Sequence, residues 1–345
     1  KSVSQNINYF TEYDSGINKS TEMVFVCVQT PTNSENGKTD ITYLRSALQN
    51  LKKLENYKFN ICIKSTVRST LAKEICDELG IDFNKVIFNP EFLREGSAFY
   101  DFFNPDRIVI GGYNKDVIQK CLDLYKEFDC EKVLTDPESS QMIKYLSNSY
   151  LAMRLSFVNE AYRLADENSA NPVEVLKAMG LDERIGSNYF RPSPGWGGSC
   201  FPKDVKELVN SYQSKHDLPL LSNIVKSNEL QMDWFTENLL KIAQKENINQ
   251  IVLIGAAFKE NTDDLRESPT LKIYKRLETK DIDIVIYDKN INLNEEYISI
   301  SKLEDLKENS VYVEMFPDSS EEREILLSKI KSLNNTFLFK IWEST

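Results

Sequence analysis

The run Pro194-Gly195-Trp196-Gly197-Gly198-Ser199-Cys200-Phe201-Pro202-Lys203-Asp204 sets a cysteine between a glycine-rich turn and the start of a helix. Pro202 suits a first helical position, and Val205, Leu208, Val209 and Tyr212 give the helix behind it an apolar face. Cys200 thus stands at the positive end of a helix dipole with Lys203 close by, which favours thiolate over thiol and so makes a nucleophile. The glycines remove Cβ atoms that would keep a substrate from the backbone. A buried structural cysteine beside a turn is the bland alternative, and the glycines, helix start and flanking charges argue against it.

Other residues of chemical interest fall where an α/β protein would use them. Lys144 and Asn148 are spaced to share one helix face. Lys144 lies among Met142, Ile143, Leu146 and Leu151, where an ammonium is costly unless an anion awaits it. A snorkelling lysine beside a packing asparagine is the structural alternative. Glu91 and Glu95 follow the apolar run Val86–Phe88, at the strand end where such sheets place ligands. Thr30-Pro31-Thr32 follows Met23–Val28, Thr66 follows Asn60–Lys64, and Lys259 and Arg266 follow Ile251–Ala256. Asp288, after Ile284–Tyr287, stands where a ribose-binding acid would, but Gly255-Ala256-Ala257-Phe258 replaces the dinucleotide glycines. That lobe therefore lacks the glycine signature of a dinucleotide site.

Four blocks in one order carry a resemblance: Asn89-Pro90-Glu91-Phe92-Leu93-Arg94-Glu95-Gly96, Lys144-Tyr145-Leu146-Ser147-Asn148, the Cys200 run, and Phe258-Lys259-Glu260-Asn261-Thr262-Asp263-Asp264-Leu265-Arg266-Glu267-Ser268-Pro269. Together they resemble the nucleotide-sugar 6-dehydrogenases, the UDP-glucose/GDP-mannose dehydrogenase family, with GGSCFPKD most similar to members acting on UDP-glucose. The resemblance implies oxidation of UDP-glucose to UDP-glucuronate with two NAD reduced. Cys200 would trap the aldehyde as a thiohemiacetal and then carry a thioester. Lys144 and Asn148 would stabilise the oxyanions, Asp204 would hold a water with Thr66, and Glu95 would activate the hydrolytic water. Either Lys144 or an Asp204-bound water would take the alcohol proton. Glu91, Phe92, Leu93, Lys144, Gly197, Phe258 and Lys259 are implied on the substrate, with Arg184 reaching the site of a neighbouring subunit in a homodimer. Thr30, Thr66, Glu95, Cys200 and Arg266 are implied near NAD, and no metal is expected. GDP-mannose or a UDP-N-acetylhexosamine is the sister alternative.

The family opens with a strand and a G-x-G-x-x-G loop, and this chain contains neither. The expectation is that this segment precedes Lys1, and that a polypeptide truly starting there folds poorly in its first lobe and fails to bind NAD. An inert sugar-nucleotide-binding protein is the alternative from another class.

The 345 residues allow two or three cores. A net charge of −11 argues against nucleic-acid or acidic-membrane partners, and no apolar span is long enough for a membrane helix. The six cysteines (Cys27, Cys62, Cys76, Cys121, Cys130, Cys200) include no C-x-x-C pair, so all but Cys200 read as reduced core residues of a cytoplasmic protein. The single histidine, His216, reads as a solvated loop residue, leaving no histidine acid–base and no zinc ligand set.

Apolar runs alternating with helical periods predict an α/β fold with two Rossmann-like lobes, the first truncated at its N-terminus, joined by a helical middle with a long central helix. Strands are predicted at Met23–Val28, Asn60–Lys64, Val86–Phe88, Arg107–Ile110 and Lys132–Leu134, in a parallel sheet. Helices are predicted at Ile41–Leu54, Thr70–Leu79 and Lys115–Phe128. A long helix capped by Asp136 and another over Ser222–Glu246 follow. Strands at Ile251–Ala256, Ile284–Tyr287 and Thr336–Ile341, with helices at Pro269–Glu278 and Ser320–Leu333, complete the chain. The expected domains are 1–136 for NAD, 137–246 for dimerisation and 247–345 for the UDP-sugar.

Overall fold

The computed structural model describes residues 7–33, 37–212, 217–318 and 320–343. Lys1 and His216 lie outside them. The chain divides into two compact units, Lys1–Ser147 and Asn148–Thr345.

The first unit comprises α1 (Tyr13–Gly16), β1 (Met23–Val26), α2 (Thr42–Lys53), β2 (Asn60–Ile63), α3 (Ser69–Leu79), β3 (Val86–Phe88), α4 (Ala98–Phe103), β4 (Arg107–Gly111), α5 (Lys115–Asp123), β5 (Glu131–Thr135) and the start of α6 (Pro137–Glu167). The strands lie in the order β1-β2-β3-β4-β5. Every residue of β2 and β3 is buried, as expected of strands covered on both faces. Alternation sorts their side chains. Ile61, Ile63, Val86 and Phe88 pack under α2 and α3 with Leu44, Leu48 and Ile75. Cys62 and Ile87 face the other way, against Val117, Ile118 and Cys121 of α5.

One feature departs from the predicted parallel sheet: β4 runs antiparallel to β3, with Phe88 opposite Gly111. A parallel return needs a crossover element of a dozen residues or so that packs on the sheet. The 89–106 connection contains only the short α4, so the chain re-enters beside β3 in the opposite sense. Helix α5 also ends at Asp123 rather than continuing to Phe128. Asp136 caps α6 as expected, its carboxylate accepting from the Ser139 N–H at 2.7 Å.

The second unit holds the rest of α6, then α7 (Pro172–Gly180), α8 (Phe201–Tyr212), α9 (Pro219–Lys245), β6 (Gln250–Ile254), α10 (Pro269–Leu277), β7 (Asp283–Tyr287), β8 (Ser299–Ile300), β9 (Ser310–Glu314), α11 (Glu321–Lys331) and β10 (Thr336–Phe339). Its sheet is parallel throughout, in the order β10-β9-β6-β7-β8. Counted from β6 this is the doubly wound order 3-2-1-4-5, which opens a ligand crevice beyond the carboxyl ends of β6 and β9. Helix α9 lays Met232, Phe235 and Leu239 onto Ile251, Leu253, Val311 and Val313, so the helical segment and this sheet share one core. Among the described residues no helix is long and apolar enough to cross a membrane.

Strand β9 was not predicted, although it is central and wholly buried. Glu314 masks it: a charge closes the apolar run, and the structure accommodates that charge with counter-ions. Arg323 donates to its two oxygens at 2.7 and 3.0 Å, and Lys340 Nζ lies 3.4 Å away. Removing the carboxylate leaves Arg323 and Lys340, both largely buried, with only the more exposed Glu343 and Glu324 as counter-charges. Glu314→Ala is expected to lose about 3 kcal/mol of stability by urea unfolding; a loss under about 1 kcal/mol would contradict this account.

Candidate active site

In the first unit the candidate residues gather on the loop after β3. Asn89, 2% exposed, anchors it. Its Nδ2 donates to the Val109 carbonyl at 2.8 Å, while its Oδ1 accepts from Lys64 Nζ at 2.9 Å and the Tyr125 hydroxyl at 2.6 Å. Glu91 Oε2 then accepts from the Leu93 N–H at 2.7 Å, and its Oε1 lies 3.1 Å from Lys144 Nζ. Lys144 is 2% exposed, so Glu91 is the anion its burial requires. Phe92 lies beneath two cations, Arg107 at 4.0 Å and Lys144 at 5.3 Å from its ring centre. Glu95 is half-buried on the same loop. Arg94 and Ser97 close that loop onto buried Asp101, and the Arg94 guanidinium holds the Asp101 carboxyl down to about 2.

Thr30 and Thr66 are buried just past β1 and β2, which are adjacent and parallel. Two hydroxyls at the carboxyl ends of neighbouring strands fit part of a dinucleotide site. No glycine turn of the pyrophosphate-holding kind occurs among the described residues.

In the second unit Cys200 caps α8: its carbonyl accepts the Asp204 N–H at 2.9 Å, the first bond of the helix. Asp204, one turn on, is 1% exposed. Its Oδ1 accepts from Lys203 Nζ at 2.5 Å and its Oδ2 from Asn148 Nδ2 at 2.6 Å. Lys144 and Asn148, expected to act together, each hold a carboxylate: Glu91 for Lys144 and Asp204 for Asn148.

The glycines also have a packing role. A Cβ on Gly197 would lie 2.0 Å from the Glu267 carbonyl oxygen. Gly198, at φ +87°, would put one 2.8 Å from the Phe258 ring, and its N–H donates to the Arg266 carbonyl at 3.0 Å. Bare backbone is needed because the Phe258–Pro269 segment packs there. Lys259 Nζ sits 5.5 Å from the Phe258 ring centre, and Arg266 pairs with Asp264 at 2.8 Å. Asp288 serves its own lobe, accepting from the N–H groups of Ala256, Asn290 and Ile291. Arg184 projects from a surface turn with its side chain 89% exposed, bonded to Asp182 at 2.6 Å.

The cysteines divide by environment. Cys62, Cys76 and Cys121 are fully buried, and burial pushes the Cys76 thiol up to about 12 and raises Cys62 as well. Cys27 is exposed rather than part of the core, and Cys130 and Cys200 are half-buried. Residues missed from the sequence include Arg107, Asn89 with Lys64 and Tyr125, and Asn228, whose amide grips the Cys200 loop. Their types and spacing carry no periodic signal, since each works through contacts to residues far off in sequence.

A doubly wound sheet, a second α/β sheet and a cysteine-capped helix between them in sequence make up an α/β protein of the kind that binds nucleotides at strand ends. Residues 1–129 match the NAD-binding domain, 138–230 the central domain and 252–335 the UDP-binding domain of one family. The chain belongs to the UDP-glucose/GDP-mannose dehydrogenase family. It is 35% identical over 311 residues to a UDP-glucose 6-dehydrogenase of Rickettsia felis, covering 87% of this chain and 69% of that protein. Identity is also 35% with the UDP-glucose 6-dehydrogenase YwqF of Bacillus subtilis, over 82% of this chain and 65% of the relative. The chain therefore spans about two thirds of the length of these relatives. The structure of a UDP-glucose dehydrogenase from Pyrobaculum islandicum superposes with a TM-score of 0.78 at 27% identity, covering 94% of this chain and 81% of that one.

The Asp101 carboxyl gives a pH test of the Glu91 loop. Its folded pKa of about 2 lies below the unfolded value of about 4, so its stabilisation is full above about pH 4 and is lost as pH falls towards 2. Asp101→Asn is expected to unfold at lower temperature than the parent at pH 6, with the gap closing between about pH 4 and pH 2. A gap independent of pH would refute the assignment.

Proposed function

We propose that this chain acts as an NAD-dependent UDP-glucose 6-dehydrogenase, oxidising the C6 alcohol of UDP-glucose to the carboxylate of UDP-glucuronate. The observation that carries the proposal is the setting of Cys200: it caps α8 one turn before a buried carboxylate, Asp204, that Asn148 and Lys203 hold in place. A thiol at a helix N-terminus is stabilised as thiolate, and a fixed carboxylate one turn away can hold a water for proton transfer.

Glu91, Phe92 and Leu93 would line the sugar, and Phe258, Lys259 and Gly197 the nucleotide and its approach. NAD, if held by Thr30 and Thr66 with Glu95 and Arg266 near it, would supply the hydride acceptor, one NAD for each of the two oxidations. Removal of the C6 hydroxyl proton falls to Lys144 or to the Asp204-held water. Thiolate attack on the C6 aldehyde forms the C–S bond of a thiohemiacetal, whose oxyanion Lys144 and Asn148 would stabilise. Loss of a second hydride leaves a thioester on Cys200. Water then adds to that carbonyl and the C–S bond breaks, returning the thiolate and releasing the carboxylate. Glu95, half-buried on the loop after β3, is the carboxylate we assign to activating this water.

Substrate choice is tested by following nicotinamide reduction by the full-length protein against UDP-glucose, GDP-mannose and UDP-N-acetylhexosamines. Preference for either of the latter two would move the chain to a sister activity. Cys200→Ser is expected to abolish uronate while leaving UDP-glucose binding by calorimetry intact. Lys144→Ala should lower kcat at least tenfold, a change larger than that in binding. Normal uronate formation by the serine variant would end the covalent mechanism.

The assembly we propose is a homodimer, in a cytoplasmic protein. Leu146, Tyr150, Phe157 and Leu164 are exposed along α6 at spacings of four and seven, a continuous apolar stripe suited to a second copy. Arg184, exposed and paired with Asp182, would reach the other copy's site only if that copy docks nearby. Phe157→Glu should convert the dimer to monomer in sedimentation at micromolar concentration; a parent protein that is monomeric and active would exclude this assembly.

A further inference from the structure

The segment Ser193–Ser199 leading into Cys200 has no regular secondary structure, and its last turn is nearly bare of side chains. Gly195, Gly197 and Gly198 leave Trp196 as the last bulky anchor before the thiol. That residue is held by one amide: Asn228 of α9 accepts from the Trp196 N–H at 2.9 Å and donates to the Trp196 carbonyl at 2.8 Å. A single side chain thus pairs both backbone groups of one residue, as a neighbouring strand would. Asn228 is 3% and Trp196 5% exposed, so neither bond has water as a ready substitute. Around the clamp, the indole Nε1 donates to Ser156 Oγ at 3.0 Å, the Ser193 N–H donates to Asn159 Oδ1 at 2.9 Å, and Gln231 Nε2 donates to the Ser193 carbonyl at 2.9 Å.

We infer that Asn228 is a positioning residue for Cys200, fixing through Trp196 the point from which the Gly197–Gly198 turn delivers the thiol to the N-terminus of α8. This rests on the reading of Cys200 as the nucleophile. The turn itself is pressed between the Glu267 carbonyl and the Phe258 ring, so its upstream end sets where Cys200 emerges. Without the clamp two buried backbone groups lose their partners and the loop must shift to satisfy them. Displacement of a nucleophile by about an ångström costs on the order of a hundredfold in rate.

The test uses the full-length protein with Asn228→Leu, which keeps volume but not the bonds, and Asn228→Asp, which keeps only the acceptor. Leu239→Ala, a buried change elsewhere on α9, controls for lost stability. The readouts are kcat and KM for UDP-glucose, and the rate of Cys200 alkylation by iodoacetamide across pH, resolved by peptide mass. Asn228→Leu is expected to lower kcat at least tenfold with KM changed less than threefold, and to shift the midpoint of the alkylation profile. Asn228→Asp should fall between, and Leu239→Ala should match the parent in both. The inference is overturned if Asn228→Leu matches Leu239→Ala in kcat and in alkylation, and Asn228→Asp decides if the leucine variant does not fold. Absence of uronate from the parent protein would sink the proposed activity, while the alkylation profiles alone would still decide the positioning role.

Discussion

Buried charge at α6 is the constraint around which the site residues are organised. One turn of this helix carries Lys144, and the next carries Asn148, each out of reach of bulk water. An ammonium so placed demands a carboxylate, and Glu91 supplies it, which in turn fixes the loop after β3. Asn148 faces the converse problem, neutral itself but bonded to a buried aspartate that also needs Lys203. Desolvation makes each of these pairs costly to break, so the polar groups are held in place before any ligand arrives.

Glycine plays an architectural part in the second unit. At Gly197 and Gly198 the Cys200 segment and the Phe258–Pro269 segment approach backbone to backbone, closer than any side chain permits. The N-terminus of α10 contributes to the same junction, with Ser268 and Thr270 hydroxyls donating to the carbonyls of Ala256 and Gly255. The residue stretches that looked chemically rich in sequence are in large part stretches that have to fit one another.

Periodic signals were the legible part of this chain. Strands such as Val86–Phe88 and helices such as Pro269–Leu277 follow from apolar spacing and from proline at a helix start. Strand β9 was hidden because Glu314 interrupts its apolar run, and only the distant Arg323 and Lys340 make that charge tolerable. The reversal at β4 was hidden because strand sense depends on what the connection can span. Among site residues, the Cys200 run and the Lys144–Asn148 spacing could be read directly. The Glu91 partner of Lys144 and the Asn228 clamp could not, since contacts across 53 and 32 positions leave no local trace.

The junction at Gly197 and Gly198 has a consequence for recombining relatives of this protein. Because the Phe258 ring and the Glu267 carbonyl fill the space a Cβ would take, the two segments form a matched pair of surfaces. A chimera that imports a foreign 258–269 segment to alter nucleotide preference would bring a new relief to press against the old turn. The crossover points that preserve the fit are those that transplant 193–204 along with it.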